Sequence, residues 1–166
     1  MVEDLENIAR RLSGRSNPTP RLEPELGPIE VHPGLYAANR NAARKCPDDW
    51  AILSLCRTEK MFVSHTTRRQ WYIIDDSRGN QDLGSVVEDV VRSIDALLSD
   101  GKTVLVHCEG GRSTTCLALK AWAMKSLGLT SREAHAWLAK SWPHCSRGNS
   151  SFTDFLDRKW PAQCAN

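Results

Sequence analysis

The segment from Thr103 to Thr115 constrains the fold more than any other. The short run Thr103-Val104-Leu105-Val106 leads into His107-Cys108-Glu109-Gly110-Gly111-Arg112-Ser113-Thr114-Thr115, and a helical pattern follows at once. An apolar, β-branched run bounded by polar segments reads as a buried strand. The paired glycines let the chain curl tightly, and the first turn of the next helix leaves backbone N–H groups without intrahelical partners. A strand-loop-helix unit of this kind turns several donors onto one point, where a phosphate, sulfate or similar oxyanion fits. A cysteine at the strand end of that cradle feels the same field, which favours the nucleophilic thiolate. The plain alternative makes Cys108 a small buried residue of an ordinary turn, but Gly110-Gly111 has no evident use there.

Three other short runs precede it: Gly34-Leu35-Tyr36-Ala37, Trp50-Ala51-Ile52-Leu53-Ser54-Leu55 and Trp71-Tyr72-Ile73-Ile74. The last two share the buried-strand character. Helical patterns cover Ser85 to Leu98, with an apolar stripe and a capping-box pair Ser85 and Glu88; Thr115 to Leu127, stopped by Gly128; Thr130 to Ser141, opened by Thr130 and Glu133; and Ser150 to Trp160. Strands alternating with helices, followed by helices alone, predict an α/β domain. Its central, mostly parallel sheet of about four to five strands is flanked by helices, with a helical C-terminal region. Upstream, Val2 to Leu12 has the spacing of a short amphipathic helix, and Pro18, Pro20, Pro24 and Pro28 make Gly14 to Pro28 extended. Residues 1–30 are therefore expected as an N-terminal helix and Pro-rich arm packing on or leading into a domain over 31–166.

Composition narrows the classes. A chain of 166 residues suits one core, and 40% hydrophobic with 25% charged residues suits a folded globule. No apolar run approaches the roughly 20 residues of a membrane span, and Met1-Val2-Glu3-Asp4 lacks the flank of an export signal, so a cytoplasmic protein without a membrane span is expected. The net charge of +2 gives no ground for a nucleic-acid partner, and the pairs Arg10-Arg11 and Arg68-Arg69 read as solvated charge. Cys46, Cys56, Cys108, Cys116, Cys145 and Cys164 include no C-x-x-C pair and favour reduced thiols over a disulfide framework. Their spacing with His107, His135 and His144 matches no zinc pattern, so neither metal nor cofactor is expected.

The loop resembles the signature of the protein tyrosine phosphatase superfamily, dual-specificity branch: His-Cys, five further residues, Arg, then Ser or Thr. His107, Cys108, Gly111 and Thr115 stand in register with it, and Thr114 stands where the pattern has arginine. Gly34-Leu35-Tyr36 is similar to the family's early strand. Ile73-Ile74-Asp75-Asp76-Ser77 is similar to the segment that delivers its general acid, with Asp76 lying 32 residues before Cys108. Pro143, Asn149, Phe152 and Leu156 are similar to its closing helical region, so the likeness covers about Val31 to Trp160.

The resemblance implies that Cys108 is a nucleophile forming a phosphocysteine, cradled by the backbone of Glu109, Gly110, Gly111, Arg112, Ser113 and Thr114. It implies Asp76 as general acid, with the adjacent Asp75 left as an alternative. Thr115 would offer its hydroxyl to the sulfur or cap the helix, and His107 would support the loop. The implied substrate is a phosphorylated protein, through phosphotyrosine and also phosphoserine or phosphothreonine, or a small phosphate ester; inorganic phosphate or sulfate would fit the same pocket. A guanidinium at position 114 would grip two phosphate oxygens, and threonine lacks both its charge and its fork. Arg112 is expected to point to the rim. Two classes follow: a phosphatase of weakened turnover, or a catalytically impaired module that binds oxyanions or phosphoproteins. A Walker-type loop would need Gly-Lys followed by Ser or Thr, which is absent.

Overall fold

The computed structural model describes residues 24–75, 77–146 and 149–165, so the expected helix over Val2 to Leu12 and most of the Pro-rich arm lie outside the described residues. Its centre is strand β5, Val104–Cys108, buried along its whole length. On one side β5 pairs in parallel with β2, Leu35–Asn39, and on the other with β3, Ala51–Ser54. Strand β1, Ile29–His32, adds to β2 antiparallel, and β4, Arg68–Gln70, adds to β3 in parallel, giving the order β1-β2-β5-β3-β4. The sheet thus begins at Ile29, within the stretch read as the arm.

Both faces of β5 are covered, which is why its sequence shows no polar alternation. Successive side chains go to opposite layers. Val104, Val106 and Cys108 join the larger core, and Leu105 joins a smaller one with Ala38, Ile52 and Phe62. The larger core is roofed by helices α2, Leu83–Ser99, and α3, Thr114–Ser126. The smaller one is closed by α1, Arg40–Ala43, and the loop carrying Phe62. Helix α3 is buried nearly all round, so it forms the spine between α2 and α4, Ser131–Ala139. The capping box expected at Thr130 and Glu133 forms at the start of α4.

Four local readings are corrected. Trp71 to Ile74 is not a strand of the sheet. After Trp71 N–H donates to Ser54 O at 2.9 Å the chain leaves the sheet, its indole donating to Asp89 on α2, and the short edge strand β4 lies just upstream. Helix α2 is capped by Asp82, whose carboxylate accepts from Ser85 N–H, so Ser85 lies within the helix. The last helical pattern is three pieces: α5, Ser150–Asp154, a π-helical turn, Phe155–Lys159, and α6, Trp160–Cys164. Pro161 has no N–H to give an α-type bond, and the wider turn buries Phe155, Leu156 and Trp160 together.

The fourth correction concerns the cysteines. Cys116, in the first turn of α3, forms a disulfide with Cys145, in the loop after α4, against the expectation of reduced thiols. Folding brings their Cα atoms to 5.7 Å, within bridging range, across a separation of 29 residues that no sequence pattern marks. Among the described residues no helix is long and apolar enough to cross a membrane.

Closing a loop of 29 residues constrains the unfolded chain by about 3–4 kcal/mol. Urea unfolding is expected to show a loss of that order for Cys145→Ser, with the parent chain in a thiol reductant shifting to the same midpoint. Equal midpoints for parent and variant without reductant would contradict it.

Candidate anion-binding site at Cys108

Five residues connect Cys108, the last of β5, to Thr114, the first of α3. Their path turns on Gly111, whose backbone has φ +70°. Its N–H donates to Cys108 Sγ at 3.1 Å, and its carbonyl accepts from Trp142 Nε1 at 2.8 Å. A Cβ at this position would lie 2.9 Å from Trp142 Cζ2 and 3.3 Å from Asn39 N, so the conformation and the packing both require glycine.

The other carbonyls are held outward too. Glu109 O accepts from Arg40 N–H at 3.1 Å, and Arg112 O accepts from Ser146 N–H at 2.7 Å. In a trans peptide the N–H points opposite to the C=O. Outward carbonyls at Glu109, Gly111 and Arg112 therefore turn the N–H groups of Gly110, Arg112 and Ser113 the other way, into the concave side. Ser113, at the N-cap of α3, makes no capping hydrogen bond with its side chain, so the helix end also presents donors and the positive end of its dipole.

His107 is fully buried between β5 and the smaller core. Its Nε2 lies 2.6 Å from Ser54 Oγ and its Nδ1 lies 3.2 Å from Cys108 O. In the neutral ring only one proton placement satisfies both: Nδ1–H donates to the carbonyl, and the Ser54 hydroxyl donates to Nε2. Burial pushes the imidazole pKa down to about 4, only partly opposed by the bond to Cys108. His107 is therefore a neutral brace on the Cys108 carbonyl.

Cys108 opens into a cavity of about 780 Å³, lined also by Asp75, Glu109, Gly110, Arg112, Ser113 and Thr114. Arg57 lies over the Tyr72 ring at its mouth, 4.9 Å from the centroid. Cys56 lines it as well, and its thiol is pushed up to about 12, chiefly by burial and further by Cys108 and Glu109. Asp76 lies outside the described residues. Asp75 is exposed, and its carbonyl accepts from Asn149 Nδ2 at 2.9 Å, while the same amide donates to Ser113 Oγ at 3.1 Å. Asn149 thus ties the acidic segment to the loop.

Thr114 is buried in the cavity wall. Thr115 is fully buried and its hydroxyl makes no hydrogen bond, so the expected bond to the Cys108 sulfur or to a helix donor is not formed. The reason lies in its place inside the first turn of α3, where the helix backbone sets the direction of the side chain. Glu109 is exposed and pairs with Arg40 at 3.5 Å. Arg112 is exposed, and its stem runs beside Gly110. Sequence reading gave no role to Trp142, Asn39 or Arg40, because a tryptophan before a proline and polar residues after an apolar run carry no mark of a loop brace. Asn39 is fully buried, and its side chain spans Pro24, Leu26 and Ala42.

Because the folded pKa of His107 is depressed, the unfolded chain binds the extra proton first, and stability falls as pH drops from about 6.5 towards 4. The unfolding free energy from urea titration is expected to fall by about 2 kcal/mol between pH 7 and pH 5 through this group, and His107→Asn should flatten that dependence. An unchanged pH slope in the variant would contradict it.

Comparison with known proteins agrees with this geometry. The sequence profile described as "Dual specificity phosphatase, catalytic domain" matches residues 38–158. Over 117 residues the chain is 28% identical to dual specificity protein phosphatase 5 of Rattus norvegicus and of Homo sapiens, covering 68% of this chain and 30% of each relative. It therefore spans less than a third of the length of those relatives. Among solved structures, human DUSP28 superposes with a TM-score of 0.70 at 19% identity, covering 87% of this chain and 99% of that one. The human tyrosine phosphatase-like serine/threonine/tyrosine-interacting protein gives 0.69 at 20% identity, covering 83% and 97%. These two show a common fold. With the profile spanning the cysteine loop, the residues that brace it and helix α5, the chain belongs to the dual specificity phosphatase catalytic-domain family.

Proposed function

We propose that this protein is a cysteine-dependent phosphatase acting on phosphate monoesters of proteins, phosphotyrosine among them, with turnover weakened by Thr114. One observation carries the reading: Cys108 ends the central strand beneath an inward-turned set of N–H groups, in the same cavity as Asp75. In the proposed reaction the Cys108 sulfur attacks phosphorus in line, and the bond from phosphorus to the leaving oxygen breaks. A carboxylic acid from Asp76, or from Asp75, gives its proton to that oxygen. The resulting carboxylate then takes a proton from the water that attacks the phosphocysteine, releasing phosphate and the thiolate. The amides of Gly110, Arg112 and Ser113 and the start of α3 bear the charge on the equatorial oxygens.

Threonine at position 114 replaces the arginine of the family signature in this scheme. Its neutral hydroxyl cannot follow the transferring charge, a loss on the order of 3–5 kcal/mol in transition-state stabilisation. Arg112 remains at the rim. The buried, uncharged wall at Thr114 also supports a second reading, a module that binds phosphoprotein or free oxyanion without efficient hydrolysis.

Hydrolysis of an aryl phosphate separates the two. Thr114→Arg is expected to raise kcat/KM by about a hundred- to a thousand-fold, and Cys108→Ser to abolish turnover in either background. No gain from the arginine would leave the binding module as the better reading.

A further inference from the structure

Thr114 brings no cation to the Cys108 cavity, yet among the described residues three arginines line it, Arg40, Arg57 and Arg112. Two of them lie on its outside. Arg57 is exposed and stacked over the Tyr72 ring, and Arg112 is exposed with its stem beside Gly110. Arg40 alone of the three is largely withdrawn from solvent, with 26% of its side chain exposed.

Topology decides where Arg40 goes. It is the first residue after β2, whose last residue, Asn39, stands opposite Cys108, and its N–H donates to Glu109 O at 3.1 Å. Its backbone is thus fixed to the first residue of the cysteine loop, and the turn it leaves from is held by Asn39 Oδ1, which accepts from Ala42 N–H at 3.0 Å. The side chain then runs to Met61, in the segment between β3 and β4, where Nε donates to Sδ at 3.0 Å. Strands β2 and β3 flank β5 on opposite sides, so a side chain that starts after β2 and ends beyond β3 crosses the carboxyl end of β5, which is Cys108. The electrostatics agree with that path. Burial dominates the shifts of Cys56, just past β3, and of His107, but the charge of Arg40 also reaches both and draws each pKa downward.

We infer that Arg40 supplies, from the end of β2, the cationic contact to a bound phosphate that the loop itself lacks at Thr114. The inference rests on reading the Cys108 cavity as the phosphate site. Arg40 is not idle in the structure, but both of its side-chain partners are weak. A thioether sulfur is a poor acceptor, and Glu109 meets Nη1 at 3.5 Å with 71% of its own side chain exposed, a surface pair that contributes little. A guanidinium carries five N–H donors, and these contacts use two of them. A doubly charged oxyanion held against the loop amides is a stronger partner than either, so the guanidinium exchanges Glu109 for the outer phosphate oxygens. A cation delivered by a neighbouring strand leaves the end of the loop free to carry a neutral residue, which is what Thr114 is.

The test is a double-mutant cycle on the full chain, with Arg40→Met, Thr114→Arg and the two combined, read by calorimetric titration with tungstate, an oxyanion of the size and charge of phosphate. Arg40→Met is expected to weaken tungstate binding about tenfold in the parent and less than about twofold beside Thr114→Arg, where the loop carries its own guanidinium. Hydrolysis of an aryl phosphate should follow the same pattern in kcat/KM. Arg40→Lys, which keeps the charge without the fork, should fall between parent and Arg40→Met, and it carries the comparison if the methionine variant does not fold. Equal losses in both backgrounds would make Arg40 a brace of the loop through Glu109 and Met61, and would overturn the inference. Unchanged tungstate affinity in Arg40→Met and Arg40→Lys would overturn it too, leaving the Cys108 reading in place. Slower alkylation of Cys108 by iodoacetamide when tungstate is bound locates the anion at the cysteine. Alkylation at the same rate with and without tungstate would remove the reading on which the inference rests, and the inference with it.

Discussion

Everything around Cys108 depends on the left-handed turn at Gly111. Its N–H meets the cysteine sulfur and its carbonyl is held by the indole of Trp142, so one residue fixes both the nearest donor and the direction of the next peptide. Magnitudes show which neighbours matter. The Arg40–Glu109 ion pair lies at the surface and is worth at most about 1 kcal/mol, whereas a fully buried tryptophan contributes roughly 3–5 kcal/mol through packing. The loop is therefore braced chiefly by the indole and by backbone bonds to Arg40 and Ser146. The loop after α4, which carries Trp142, Cys145 and Ser146, is riveted to α3 by the disulfide at Cys116, beside the residues it supports.

A second dependence runs through β5. Alternate residues of one strand serve two cores, so the site is mounted on the part of the molecule least able to move. His107 faces the smaller core and holds the Cys108 carbonyl from behind, while Cys108 faces the larger core at the end of the strand. Placement beyond the carboxyl end of parallel strands is where open α/β sheets leave a crevice for ligands. A neutral imidazole there adds rigidity without adding charge, leaving the field at the sulfur to the backbone and to α3.

Much of this was legible in the residues. Val104 to Val106 read as a buried strand because burial on two faces removes polar alternation. Thr130 with Glu133 read as a helix start because a capping box is a local exchange of hydrogen bonds. The fold class and the cysteine loop followed from such local signals. Trp71 to Ile74 misled because aromatic and β-branched residues have the same preference for extended backbone whether or not a partner strand is present, and here Tyr72 and Ile74 are exposed. The π-helical turn was hidden because Phe152, Phe155, Leu156 and Trp160 keep a helical rhythm on either side of it. Thr115 was given a bond to the sulfur that its buried, unpartnered hydroxyl does not make.

The amino-acid sequence by itself determined the strand-loop-helix unit, the glycine that the turn at Gly111 requires, and the likeness to the dual-specificity signature with Thr114 in it. These are consequences of neighbours along the chain, for which backbone sterics and hydrogen-bond counts suffice. Tertiary structure alone decided that Trp142 braces Gly111 across 31 residues, that Cys116 and Cys145 become partners, and that Asn149 joins Asp75 to Ser113 across 74 and 36 residues. Contacts at such separations are set by how helices pack on the sheet, and no local pattern of residue types encodes that packing.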